Sequence, residues 1–249
     1  MPEIIYADSN VATFAREAQR AREMRNDADS YRRSTVTPDH TLGDVTTWIQ
    51  MLEAADSVEE SAATNTGQKK LAQGAENLVI DSPQARRRGR LIAITWETLS
   101  PERAREIFYS HRVMNILFPH NFPIFYAAWG SSDGRRITGT VREEIVKTEG
   151  EIVYPIDDVW DVMHALQLPV GMDPSGVNYH RGADGGEYFL DTLFRIRSRS
   201  WDMGRVLDYM NDQAAHPDII YSDDDKRQVA HAIERLLVNE QKRSGAEDF

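Results

Sequence analysis

The chain has 249 residues, 41% of them hydrophobic, a formal charge of 29 minus 40, or −11, and no Cys. That length and apolar share support one sizeable core or two small lobes and exclude a disordered or fibrous chain. The lack of Cys excludes disulfides and thiolate metal sites, and the acidic balance argues against general electrostatic binding to nucleic acid or an anionic membrane.

Residues 1–10 carry Glu3 and Asp8 and no basic region followed by an apolar run, and no window is apolar for long enough to span a bilayer. A cytoplasmic protein is expected. Residues 11–33 are helix formers with Val11, Phe14, Ala18, Ala21 and Met24 at helical spacing. A second helix is expected over 42–58, with Leu42, Val45, Trp48, Ile49 and Leu52 on one face. The polar, turn-rich stretch 59–70 reads as a linker, which makes 1–70 a helical extension.

Beyond the linker the pattern turns to strands, at 77–81 and 90–97, joined by the arginine-rich segment 82–89. Arg86, Arg87, Arg88 and Arg90 read as a solvated basic turn. Ser100-Pro101-Glu102 is a helix start, with Ser100 as N-cap, Pro101 at the first helical position and an acid in the first turn. The helix runs on through Ile107, Phe108, Val113, Met114 and Leu117 until Pro119. The aromatic run 118–126 reads as a helix-to-strand crossing packed into a core. Two more strands follow, at 122–129 and 137–147, then a helix over 156–168. Helices are also expected over 200–212 and 222–243, the last capped by Ser222 with Asp223, Asp224 and Asp225 in its first turn.

Between these helices lies the segment richest in chemistry. Asp184-Gly185 between alternating runs signals a hairpin that pairs 177–181 with 188–192. If Asp184 and Gly185 are the two loop residues, Asn178 faces Asp191. With Asp173 on the preceding loop, these residues would form an oxygen-rich cluster suited to Mg²⁺ and phosphate. The plain alternative is an ordinary Asp173-Pro174-Ser175-Gly176 turn followed by a strand-end Asp191. The seven His residues show no zinc spacing, and no Gly-x-Ser-x-Gly elbow supports hydrolase chemistry.

The order of elements and the spacing from Asp173 through Asn178 to Asp191 resemble the protein-kinase-like superfamily, which includes protein kinases and aminoglycoside or choline-type phosphotransferases. The resemblance covers about 71–200. It implies an α+β, kinase-like two-lobed fold. Its small lobe, 71–150, would be an antiparallel sheet plus one long helix. A compact, mostly helical C-lobe, 151–249, would carry the metal-type hairpin 177–192. It further implies ATP and Mg²⁺ as cofactors and a hydroxyl acceptor, with Asp173 as catalytic base and Asn178 and Asp191 as metal ligands. Gly74, Ala75 and Glu76 would form a reduced glycine-rich loop, Thr95 falls at the strand lysine position, and Glu106 is the candidate helix carboxylate. No Lys occurs between Lys70 and Lys147, so a compensating cation would have to be Arg90 or Lys70. Two other readings stand beside this one: a pseudokinase or interaction module that binds a protein partner, and an α+β interaction protein with no nucleotide site.

Overall fold

The computed structural model describes residues 3–6, 69–73, 77–81, 89–95, 99–130, 138–146, 148, 157–172, 178–191, 195–196, 200–216 and 219–246. The helices expected over 11–33 and 42–58 lie outside the described residues. So do Gly74, Ala75, Glu76 and Asp173.

The chain is a mixed α and β protein. Its main sheet is antiparallel and has six strands: β1 (Glu3–Tyr6), β2 (Lys69–Gln73), β3 (Asn77–Asp81), β4 (Arg90–Thr95), β5 (Phe125–Gly130) and β6 (Thr138–Glu143). Their order across the sheet is β1-β5-β6-β4-β3-β2. The strand β6 is thus inserted between β4 and β5, which the helix α1 (Pro101–Leu117) connects. Two strands of this sheet were not anticipated. Glu3–Tyr6 pairs with β5 as an edge strand, where a helical extension was expected. Lys69–Gln73 begins inside the expected linker and pairs with β3. The Ile4-Ile5-Tyr6 run has β-type residues, but four residues are too few to show a period.

The start of α1 follows the sequence reading. Ser100 Oγ accepts from the Arg103 N–H at 3.1 Å, and Ala104 N–H bonds the Ser100 carbonyl at 2.9 Å. The helix packs against β5 and against the long C-terminal helix α4 (Asp223–Ala246). Phe108, Val113, Met114 and Leu117 have no measurable exposure, so burial on several sides stabilises α1 far more than intrinsic propensity does. The crossing that follows is buried as expected, through Phe118, Phe122, Ile124, Phe125 and Tyr126. Tyr221, just before α4, donates its hydroxyl to the Leu117 carbonyl at 2.6 Å and so satisfies one of the acceptors that the helix end leaves open.

Three further helix ends explain how the chain enters the site region. In α2 (Asp157–Ala165), the amides of Gln167 and Leu168 bond back to the carbonyls of His164 and Met163, with Gln167 at φ 53. That is a Schellman ending with Gln where glycine is usual, and Leu168 and Met163 close it inside the core. Asp202 caps α3 (Met203–Asn211) through the Arg205 N–H at 3.0 Å. Ser222 and Asp225 cap α4 reciprocally, each side chain accepting from the other's amide at 3.2 and 2.8 Å. No helix among the described residues is long and apolar enough to cross a membrane.

Candidate functional site

The Schellman turn feeds the short strand β7 (Val170–Gly171), which pairs antiparallel with β10 (Arg195–Ile196). Gly171 faces Arg195 and Val170 faces Ile196. This two-residue ladder brings together the chain before residue 172 and the chain after residue 194. Asp173, Asn178 and Asp191 all belong to the stretch between them.

Inside the loop, β8 (Tyr179–Arg181) and β9 (Glu187–Phe189) form the expected hairpin. Its register is not the expected one. Tyr179 faces Phe189, and the Leu190 N–H bonds the Asn178 carbonyl at 2.7 Å, so Asn178 lies opposite Leu190 and not Asp191. The turn is the reason. Gly182 N–H bonds the Gly186 carbonyl at 2.8 Å, which leaves three loop residues, Ala183 to Gly185, with Gly185 at φ 83. A three-residue loop ending in a left-handed glycine is a common hairpin turn, and it shifts the partner of every strand residue by one. Asp184 stabilises the turn by accepting the Gly186 N–H at 3.1 Å and the Tyr188 hydroxyl at 2.5 Å.

Backbone hydrogen bonds fasten the hairpin on both sides. Phe189 N–H bonds the Asn121 carbonyl at 2.8 Å and Asn121 Nδ2 returns a bond to the Glu187 carbonyl at 3.1 Å. On the other side Ala183 N–H reaches Val146 at 2.7 Å and Thr148 N–H reaches Arg181 at 3.1 Å. Phe189 packs against Phe122 and Tyr179. The hairpin is therefore docked between the aromatic crossing after α1 and the chain leaving β6.

Asp191, half-buried at the end of the hairpin, acts electrostatically on Arg142, the penultimate residue of β6. Arg142 is 7% exposed, and its Nε makes no hydrogen bond among the described residues. Burial pushes the guanidinium down to about 10, against the opposing pull of Asp191 and, more weakly, Glu143. A cation so costly to bury needs a compensating role or a compensating charge. Neither Arg142 nor Glu143 was a candidate from the sequence, where both fall inside the expected strand 137–147 with no local motif around them.

The other expected residues divide plainly. Thr95 is buried at the end of β4, opposite Thr138, with its hydroxyl 2.7 Å from the Thr138 hydroxyl and 3.1 Å from the Thr138 carbonyl. Its polar group already has partners within the sheet. Glu106 is buried on α1 and pairs with Arg103 one turn earlier at 2.6 Å. Arg90 is 1% exposed, not solvated, with its guanidinium 4.2 Å from the Tyr126 ring centroid and Glu143 as cross-strand neighbour. Lys70 sits in β2 opposite Ile80. Among the described residues no group of three or more His, Cys, Asp or Glu side chains is arranged to hold a metal ion.

No family model, curated protein or solved structure matches the chain.

The chemistry open to this region follows from its polar groups. The carboxylate of Asp191, at the end of the hairpin, and the buried guanidinium of Arg142, on β6, act on each other electrostatically, one able to accept and the other to donate hydrogen bonds to a charged ligand.

Proposed function

We propose that the chain is an atypical ATP- and Mg²⁺-dependent phosphotransferase of the kinase-like fold, acting on a hydroxyl acceptor. The observation that carries this reading is the strand pairing around the hairpin. The β7–β10 ladder pairs the chain on either side of the β8–β9 hairpin, and Asn178 and Asp191 flank that hairpin, while Asp173 lies outside the described residues. An antiparallel sheet with a single long helix joining β4 to β5 also agrees with the small lobe that the resemblance implies. In this reading Asp173 takes the proton of the attacking hydroxyl, while Asn178 and Asp191 hold Mg²⁺ against the nucleotide phosphates. The observed register sets Asn178 opposite Leu190, which turns Asp191 to the other face of the ladder, so the two would meet a shared ion only beyond the paired residues, at the hairpin's open end.

A second reading, a pseudokinase that binds a protein partner on the same scaffold, draws on Thr95. The position assigned to the phosphate-gripping lysine holds a threonine whose hydroxyl is already bonded within the sheet.

Thermal unfolding with and without millimolar MgATP tests both. A ligand at a hundredfold excess over its Kd stabilises the folded state by about 2.7 kcal/mol. The phosphotransferase reading predicts a rise of several degrees together with slow ADP release, water serving as the acceptor. A rise without ADP favours the second reading, and no rise contradicts nucleotide binding in either.

A further inference from the structure

We propose that His216 is a pH-sensitive latch on the connection between α3 and α4. As an imidazolium it bonds one carbonyl at the end of α3 and one just before α4 and holds the connection shut; on losing its proton it lets the connection loosen. The latch does not depend on the phosphotransferase reading.

The argument starts from the two ring nitrogens. His216 is 6% exposed, with Nδ1 2.9 Å from the Ile219 carbonyl oxygen and Nε2 2.7 Å from the Tyr209 carbonyl oxygen. Both partners can only accept. A neutral imidazole has one N–H and one bare lone pair, so it serves one carbonyl and sets its lone pair against the other, whereas the imidazolium donates to both. The Tyr209 carbonyl belongs to the last turn of α3, where acceptors are left open and the helix dipole favours a cation, and that turn has no basic residue of its own. The rings of Tyr209 and Tyr221 stand at 63° and 72° to the imidazole, with centroids 4.9 and 4.6 Å away, and so hold its plane.

The groups around the ring leave the change of charge to His216. Tyr209 and Tyr221 are the titratable side chains packed on it, and burial raises both phenols above their ordinary range, so they stay neutral where a histidine titrates. Among the described residues no charged side chain pairs with His216. On α3 Asp208 is exposed, Asp212 Oδ1 accepts the Ala214 N–H at 3.1 Å, and Asp225 of α4 accepts the Ser222 N–H at 2.8 Å. Asp218 lies outside the described residues, and an ordinary aspartate titrates well below histidine. The connection itself is a small set of bonds around the ring. Ile219 N–H bonds the His216 carbonyl at 3.1 Å, and Gln213 Nε2 donates to the His216 and Ile219 carbonyls at 3.1 and 3.3 Å. Two residues on, Tyr221 fastens the start of α4 to the end of α1. Because both ring bonds exist only while the ring is charged, their stabilisation is full at low pH and is lost as pH rises through the ring's own titration.

A single series on the full chain, labelled with nitrogen-15 and taken from about pH 5 to about pH 8.5, tests the latch. It follows the two ring nitrogens of His216 by NMR together with the exchange protection of the Asp212 and Ile219 amides. Both nitrogens should carry protons at the acid end. Protection at the two amides should fall about 10- to 100-fold with the midpoint of the ring's own titration, while the amides of α1 keep theirs. Protection that stays level while the ring titrates overturns the proposal, and so does a ring that keeps one bare nitrogen across the whole series. His216→Gln retains a donor but cannot titrate, so its protection at the same amides should be weak at every pH. A pH-dependent loss that persists in that variant also overturns the proposal. If His216→Gln does not fold, the wild-type series decides alone, because the ring and the amides are read in the same molecule.

Discussion

Helix α1 and the hairpin of β8 and β9 are held by different forces. Around α1 the contacts are apolar and come from several directions, so side chains such as Phe108 and Val113 contribute through area removed from water. The hairpin has three-residue strands and is positioned mainly by directed bonds: two to Asn121, two to the 146–148 segment, and the Asp184 turn. Nondirectional burial tolerates small displacement, whereas a hydrogen-bonded turn sets which residue faces which. The scaffold therefore carries the stability, and the hairpin carries the geometry of the site.

The largest expected effect lies on the scaffold side. Phe108→Ala should cost about 3–5 kcal/mol in denaturant unfolding, since it empties a fully buried site beneath the sheet. A loss below about 1 kcal/mol would mean that α1 is not the centre of the core. On the hairpin side, Gly182→Ala would set a Cβ 2.4 Å from Asp184 Oδ1 and 2.8 Å from the Tyr188 ring. Crowding of that kind typically costs about 1–3 kcal/mol, and here it should raise amide exchange at Gly185 and Gly186 more than at the amides of α1. Equal changes in the two regions would remove the distinction between them.

Tyr221→Phe is expected to cost about 1–3 kcal/mol at neutral pH by leaving the Leu117 carbonyl without its donor. Its pH dependence sharpens the comparison. Burial, with Tyr209 reinforcing it, pushes the Tyr221 hydroxyl above its ordinary range. The folded state then holds a proton that the unfolded chain releases near pH ~10, so this residue's stabilisation is lost as pH rises beyond that point. Arg142 has the opposite sign. Its folded value is lowered to about 10, so the cost of burying its charge is full below pH 10 and is relieved as pH rises towards the range in which a free arginine loses its proton. Alkaline unfolding curves of Tyr221→Phe should therefore flatten above pH ~10 relative to wild type, and those of Arg142→Met should steepen. The smallest effect is a gain. Gln167→Gly relieves a left-handed side-chain position at the end of α2 and should stabilise the protein by about 1 kcal/mol.

The scaffold was the more legible region, for a physical reason. The Ser100-Pro101 start, the apolar run to Leu117 and the Ser222 cap each leave a local chemical signature, and each appears where its residues indicate. The hairpin was visible in Asp184-Gly185, but its register was not. Two- and three-residue turns both accept that dipeptide, and only the Gly182–Gly186 bond distinguishes them. The strand of residues 3–6 and the burial of Arg142 depend on long-range pairing, which local pattern does not encode. The solvated reading of Arg90 failed for a related reason, since the Tyr126 ring that covers it lies on another strand.

The central claim is that the segment between β7 and β10 carries a Mg²⁺–nucleotide site, and calorimetric MgATP titration of wild type, Asp191→Ala and Asp173→Ala tests it most directly. The account predicts Mg²⁺-dependent binding to wild type, its loss in Asp191→Ala, and binding without phosphate transfer in Asp173→Ala. Equal MgATP affinity in wild type and Asp191→Ala, or no binding to wild type at all, would contradict it.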